Sequence, residues 1–339
     1  MLTTLRLFAL DRLAIPASSA WYLNDLGELR GKQALYTQQS PQRLQALRES
    51  AVVESAVSST RIEGVEIDPS RVRDVLGAPR PLFRDRDEEE VRGYRDALTL
   101  IHGDASALPI SHDTIQRLHA LTRGQIWDAG RYKEKDADII ERYADGSERL
   151  RFRTVPAAQT TAAMDLLLRD WQHCLDERWV PPLLAVAAFN LDFLCIHPFR
   201  DGNGRVSRLL WLLQSYQLGY EVGRYISLER LVEENKARYY ETLEQSSRGW
   251  PDGAQDPWPY VNFVLSIMKE AYRDFIARVG ELKAPRGEKR QRVIDGIALL
   301  LSKPKAGFRL SELEQVCPGV SRDMVRHVLR EQQGQGLIS

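Results

Sequence analysis

Two apolar runs joined by a short polar loop constrain this chain most. Residues 183–196 (LLAVAAFNLDFLCI) are apolar on every side, which reads as a buried helix. Residues 206–218 form a second such run, closed by Gly219. Pro198 disfavours helix at His197, so the first helix ends there. The stretch between, His197-Pro198-Phe199-Arg200-Asp201-Gly202-Asn203-Gly204-Arg205, therefore feeds a helix N-terminus.

Each loop residue suits phosphate chemistry. Gly202 and Gly204 let the backbone approach a ligand closely and turn its N–H groups inward. The helix N-terminus behind them favours an anion. His197 has an ordinary pKa near neutrality, suited to taking a proton from a hydroxyl. Asp201 is a hard oxygen ligand for Mg²⁺ carrying a nucleotide's phosphates. The Asn203 side chain can donate to phosphate oxygens. Arg205 and Arg208 are three apart, which predicts a shared helix face and a forked phosphate clamp. A lone His-Pro is a turn and a lone Gly-Asn-Gly a loop. Their fixed register with Asp201, Arg205 and Arg208 is what points to group transfer from a nucleotide.

Residues 42–63 read as an amphipathic helix with Gly64 as its stop. Asp68-Pro69 then reads as N-cap and first residue of the next helix. Ser59 and Glu63 lie one turn apart on one face. Residues 139–152 carry two β-prone arms around Asp145-Gly146, a hairpin signal. Residues 225–243 read as one or two helices with Ser227 as N-cap. Adjacent Tyr239 and Tyr240 point about 100° apart on a helix, so one of them is expected to touch a base.

These motifs resemble the Fic-domain family. HPFRDGNGR fits its signature His-Pro-Phe-x-Asp/Glu-Gly-Asn-Gly/Lys-Arg, and Arg208 stands where the fuller motif has a second arginine. Ser59-x-x-x-Glu63-Gly64 resembles the family's inhibitory-helix motif in its N-terminal position. Gly130-Arg131-Tyr132-Lys133 is similar to Gly-x-Tyr-Arg, with Lys133 replacing arginine. Most members resemble AMP transferases acting on hydroxyl side chains of proteins and releasing pyrophosphate. The resemblance implies His197 as base, Asp201 as Mg²⁺ ligand, and Gly202, Asn203 and Gly204 as the anion nest. It further implies Arg205 and Arg208 at the outer phosphates, Phe199 as packing under the loop, and Tyr239 or Tyr240 beside adenine. Ser59, Glu63 and Gly64 would be inhibitory, with Glu63 pairing with Arg208. The 139–152 hairpin would be the target-docking flap, with Ile139 and Ile140 at its edge.

The rest of the chain sets bounds. Its 339 residues suggest about two domains. Lys plus Arg equals Asp plus Glu at 47 each, which argues against a strong non-specific grip on nucleic acid. Arg6, Asp11 and Arg12 interrupt any leader-like apolar run, no segment has membrane-spanning length, and Cys174, Cys195 and Cys317 show no metal spacing. His112, His119 and His173 read as structural or exposed. Glu88, Glu89 and Glu90 read as the acidic start of a helix.

A polar linker over 284–289 precedes a tail resembling a winged helix. In it, residues 293–301, 310–316 and 321–331 read as helices, with an extended stretch begun at 336–338. Arg322, Arg326 and Arg330 recur on its last helix. The expectation is a mainly α protein: a Fic-type helical bundle with one β-hairpin flap, plus a small C-terminal winged-helix domain. The expected segments are 1–75 with the inhibitory helix, 76–284 as catalytic core, and 285–339. The expected function is an autoinhibited cytoplasmic protein AMP transferase using ATP and Mg²⁺ on a protein target, which includes itself, with removal of AMP as a further activity. Transfer of UMP, phosphocholine or phosphate is the alternative within enzymes. A nucleotide-sensing DNA-binding regulator is the alternative outside them. A homodimer is open, with residues 98–101 as a candidate face.

Overall fold

The computed structural model describes residues 2–37, 41–79, 82–142, 146–281, 288–301 and 307–334. The chain divides into two compact units, Met1–Ala277 and Arg278–Ser339. The fold is mainly α, and among the described residues a two-stranded hairpin is the sole sheet.

The chain begins with α1 (Thr4–Ala9), α2 (Ala17–Thr37), α3 (Pro41–Ile62), α4 (Val72–Gly77), α5 (Arg86–Gly103) and α6 (His112–Arg123). The hairpin strands β1 (Ile139–Arg142) and β2 (Glu148–Phe152) follow. Then come α7 (Ala157–Asp176), α8 (Pro182–Ile196), α9 (Asn203–Gln217), α10 (Leu228–Glu234), α11 (Lys236–Ser247) and α12 (Trp258–Glu281).

Helix α8 is apolar all round, so it can be stable only when enclosed. It packs against α1, α7, α9 and α11, and Leu183 to Phe193 are all buried. Helix α3 lies along α5 and α10 and touches α9. That placement brings a segment far upstream to the start of the helix that follows the loop.

Two buried carboxylates fasten the N-terminal turn to this core. Asp192 on α8 accepts from Thr4 N at 2.8 Å, Thr4 Oγ1 at 2.6 Å and Trp250 Nε1 at 2.7 Å. Asp170 on α7 accepts from Thr3 Oγ1 at 2.5 Å and Arg6 Nη2 at 2.6 Å. A buried carboxylate persists only with such donors around it.

The hairpin pairs antiparallel, Ile140 with Leu150 and Ile139 with Phe152, and the register slips between them. The slip leaves Arg151 as the extra residue, which re-aims it. Arg151 Nη2 donates to Tyr240 O at 2.6 Å, docking the hairpin on α11. Gly146 adopts φ 82°, while Asp145 of the expected turn lies outside the described residues.

The second unit holds α13 (Glu288–Leu301), α14 (Leu310–Val316) and α15 (Arg322–Gly334) around Val293, Ile297, Leu313, Cys317, Val325 and Val328. Its described residues include no strand, and 336–338 lie outside them, as do 284–287 of the expected linker. On α15, Arg322 pairs with Glu314 at 2.7 Å, while Arg326 and Arg330 are exposed.

Two expectations are corrected. Asp68-Pro69 does not begin a helix. Asp68 Oδ1 instead accepts from Ser70 N at 2.9 Å in a local turn, and α4 starts at Val72. Leu98 and Ile101 are fully buried within the chain, so they form no free face for a dimer. Among the described residues, no helix is long and apolar enough to cross a membrane.

Candidate active site

The loop after α8 is shaped by two left-handed residues. His197 caps α8 at φ 53°, ψ 61°, with its N–H donating to Phe193 O at 2.9 Å. Gly202 caps α9 at φ 82°, where a Cβ would also meet Arg123 Cδ at 3.0 Å. Between them Phe199 is fully buried and stacks on the His119 ring, centroids 3.8 Å apart. Phe199 is thus packing under the loop.

Asn203 holds the loop closed. Its Oδ1 accepts from Phe199 N at 2.9 Å and its Nδ2 donates to Phe199 O at 2.8 Å. The expectation had this amide donating to a phosphate; here its two ends hold the loop backbone. What the first turn of α9 retains for an anion is its main-chain N–H groups.

His119, read from the sequence as structural or exposed, is a buried second fastening. Gly130 N donates to its Nδ1 at 2.9 Å, which places its proton on Nε2, facing Asp201 O at 3.0 Å. Burial lowers its pKa to about 4, so the ring is neutral.

The two arginines of α9 part company. Arg205 Nη1 donates to Glu90 Oε2 at 2.6 Å and to Thr122 O at 3.3 Å, deep between α5 and α6. Glu90 also receives Arg123 Nη1 at 2.8 Å, and Arg123 in turn pairs with Asp201 Oδ2 at 2.9 Å. Arg208 turns to α3. Its Nε donates to Ser59 Oγ at 2.9 Å, and its Nη2 donates to Ser59 O and Glu63 Oε1, both at 2.8 Å. The expected two-arginine fork is therefore corrected: helix spacing set a face, and partners on different helices divided it. Burial works most strongly against the charge of Arg208, but Glu63, Tyr239 and Tyr94 together more than reverse this and keep the guanidinium protonated. Arg208 Nη1 is buried with no hydrogen-bond partner among the described residues.

A cavity of about 330 Å³ opens over this arrangement. His197, Gly204 and Glu63 line it together with Ile139 and Ile140 of β1. Leu191, Leu194, Cys195 and Phe152 supply apolar lining. Both Tyr239 and Tyr240 line it, with ring centroids 5.2 Å apart. Tyr240 Oη donates to Ile62 O at 3.2 Å, closing α11 against the end of α3. A mostly apolar recess with a few converging polar groups suits a base and its phosphates.

The candidate base is poised as an acceptor. His197 Nδ1 faces Leu194 O at 3.3 Å, which makes Nδ1 the donor and leaves Nε2 to accept. Burial first, then the Lys133 ammonium, lower its pKa to about 4. Asp201 is ionised: burial raises its pKa, but Arg123 and Arg205 more than reverse this. Its side chain is 62% exposed, and Gly202 N donates to its Oδ1 at 2.6 Å. One accessible, ionised carboxylate at an anion nest fits a Mg²⁺ that arrives on phosphates. Among the described residues, no cluster of three His, Cys, Asp or Glu could hold a resident metal.

The support that Glu90 and Arg123 give the loop is what sequence reasoning missed. One signal was present: α6 is amphipathic, yet His119, Thr122 and Arg123 lie among its buried residues. A polar stripe on a buried face needs partners.

The helical fold and this loop resemble those of Fic proteins. Residues 109–214 match the Fic/DOC family model, and the chain carries a Fic domain. It is 25% identical over 200 residues to the protein adenylyltransferase Fic of Nematostella vectensis, covering 56% of this chain and 40% of that protein. The chain thus spans less than half of that curated relative. A Fic family protein from Desulfovibrio desulfuricans G20 has the same fold, with TM-score 0.63 and 22% identity over 95% of this chain and 91% of that one. A Fic domain containing signaling protein from Bacteroides thetaiotaomicron VPI-5482 also has it, at TM-score 0.63 and 21% identity, over 76% and 97%.

Proposed function

We propose that this chain is a protein AMP transferase held off by its own helix α3. The pair between Glu63 and Arg208 carries this reading, since Glu63 lines the cavity with Gly204 and His197. An outer phosphate needs the guanidinium that Glu63 occupies. ATP entering with that place filled would seat its α-phosphate out of line with the attacking hydroxyl.

With Glu63 displaced, main-chain N–H groups of the 202–204 nest hold the inner phosphates and Arg208 holds the outer one. An extended target segment pairs along β1, where Ile140 is 48% exposed. His197 Nε2 takes the proton of a Ser, Thr or Tyr hydroxyl as its oxygen bonds to the α-phosphorus. The bond to the β-phosphate oxygen breaks and pyrophosphate leaves. Asp201 would hold Mg²⁺, which supplies positive charge for the phosphates when bound. Arg205 supports the nest from beneath through Glu90.

Intact mass after incubation with ATP and Mg²⁺ tests this. Glu63→Gly gains one AMP, and transfer to lysate proteins rises on the order of 100-fold, the scale of a misplaced reacting group. The gain is absent with UTP and lost in Glu63→Gly with His197→Ala. No gain in Glu63→Gly, on itself or on lysate proteins, sinks the reading.

A further inference from the structure

Lys133, between α6 and β1, brackets His197 from both sides. Its main-chain N–H donates to Pro198 O at 2.8 Å. Its Nζ donates to Ile196 O at 3.3 Å and to Thr154 Oγ1 at 2.8 Å. One residue thus holds the carbonyl before the histidine and the carbonyl after it. Thr154 in turn closes the base of the flap. Its hydroxyl donates to Ala137 O at 3.0 Å, and its N–H to Asp138 Oδ1 at 3.0 Å.

His197 needs such a holder. Its left-handed backbone at φ 53° is strained for a non-glycine residue, and such a conformation persists only where its surroundings enforce it. Lys133 is buried, so its charge acts on the neighbouring imidazole with little screening.

We propose that Lys133 is the positioning residue for His197, clamping both flanking carbonyls and tying the histidine to the base of the flap. The proposal builds on the reading of His197 as the base. It also gives a meaning to lysine at this position. A guanidinium would stay charged at every accessible pH, whereas burial lowers the Lys133 pKa to about 8 against the pull of Asp136 and Asp138. The charge beside His197 is therefore lost above about pH 8, while the N–H donors of the clamp remain.

The other groups that act on the imidazole are known. Glu63 from α3 and Asp201 from its own loop raise its pKa, opposing Lys133. Asp138, Arg151, Arg200 and Glu244 line the same cavity.

The test uses the full chain carrying Glu63→Gly, alone and with Lys133→Met or Lys133→Arg. Two quantities are read: the His197 ring titration by proton NMR, and kcat/KM for AMP transfer against pH. Removing the charge with Lys133→Met should move the ring titration upward from its value in Glu63→Gly alone, and the acid limb of the rate profile with it. Lys133→Arg keeps the charge and should leave the ring titration near its parent value. A residue of purely structural importance would lower stability without moving the ring titration or the acid limb. The proposal is overturned if Lys133→Met leaves the ring titration unchanged in a folded chain, or if Lys133→Arg moves it as far as Lys133→Met does. If the ring titration moves but no chain transfers AMP, the clamp stands and the transferase reading falls.

Discussion

Glu63 and Gly204 fit together like a part and its recess. A Cβ placed on Gly204 would lie 2.2 Å from Glu63 Oε1, well inside contact distance. The glycine therefore leaves the space in which Glu63 reaches Arg208, as well as lending its N–H to the nest.

Gly204→Ala is accordingly expected to push Glu63 aside and to raise AMP transfer, by less than Glu63→Gly does. Because both changes act on one contact, the double variant should transfer no faster than Glu63→Gly alone. Initial rates with labelled ATP across the four chains decide this. A lower rate in Gly204→Ala in both backgrounds would show that the methyl obstructs the nucleotide instead.

Ser59 holds the other side of the same guanidinium. Ser59→Ala removes the acceptor of Arg208 Nε and leaves that buried donor unmatched. The loss should cost about 1.5–3 kcal/mol of stability, read by denaturant unfolding. Partial release of transfer should accompany it, since the remaining bonds hold Arg208 less firmly. An unchanged midpoint together with unchanged transfer would contradict the account.

Glu90 sits beneath the loop with Arg123 and Arg205 on it and Arg86 at 2.9 Å. Glu90→Ala would leave buried guanidiniums without their counter-charge, at about 3–5 kcal/mol. Thermal unfolding should show this as one of the largest losses among single substitutions in the chain. A loss below 1 kcal/mol (~, the surface-pair range) would mean that the network carries little.

The pH dependence has a definite sign. A general base works when neutral, and the His197 pKa lies near 4 instead of 6.5. In Glu63→Gly the carboxylate that raises it is gone, which moves it lower still. The kcat/KM of that variant should therefore stay level as pH falls through 6.5, and decline only towards 4. A half-maximal point near 6.5 would contradict the placement of the imidazole.

Local signals carried much of this site. Helix α8, the break at Pro198 and the stop at Gly64 follow from neighbours in sequence, and they stand where spacing put them. Ser227 caps α10 by accepting from Arg230 N, again a matter of a few residues. Directions of long side chains were not legible. Arg205 meets Glu90 across 115 positions, and no periodicity names such a partner. Glu90 itself resembled an ordinary acidic helix start. Helix α2 (ASSAWYLNDLGELRGKQALYT) has only a faint apolar stripe, so its existence depends on tertiary packing more than on pattern.

The fastening of Thr3 and Thr4 to Asp170 and Asp192 has a practical corollary for anyone trimming this chain. Asp192 sits five residues before His197 on the same helix, and burial already lifts its pKa to about 7. Cutting away the first ten residues would strip it of the Thr4 donors and open a polar hole at the foot of α8. A shortened protein that failed to transfer AMP would then be reporting on a damaged foundation rather than on the chemistry above it.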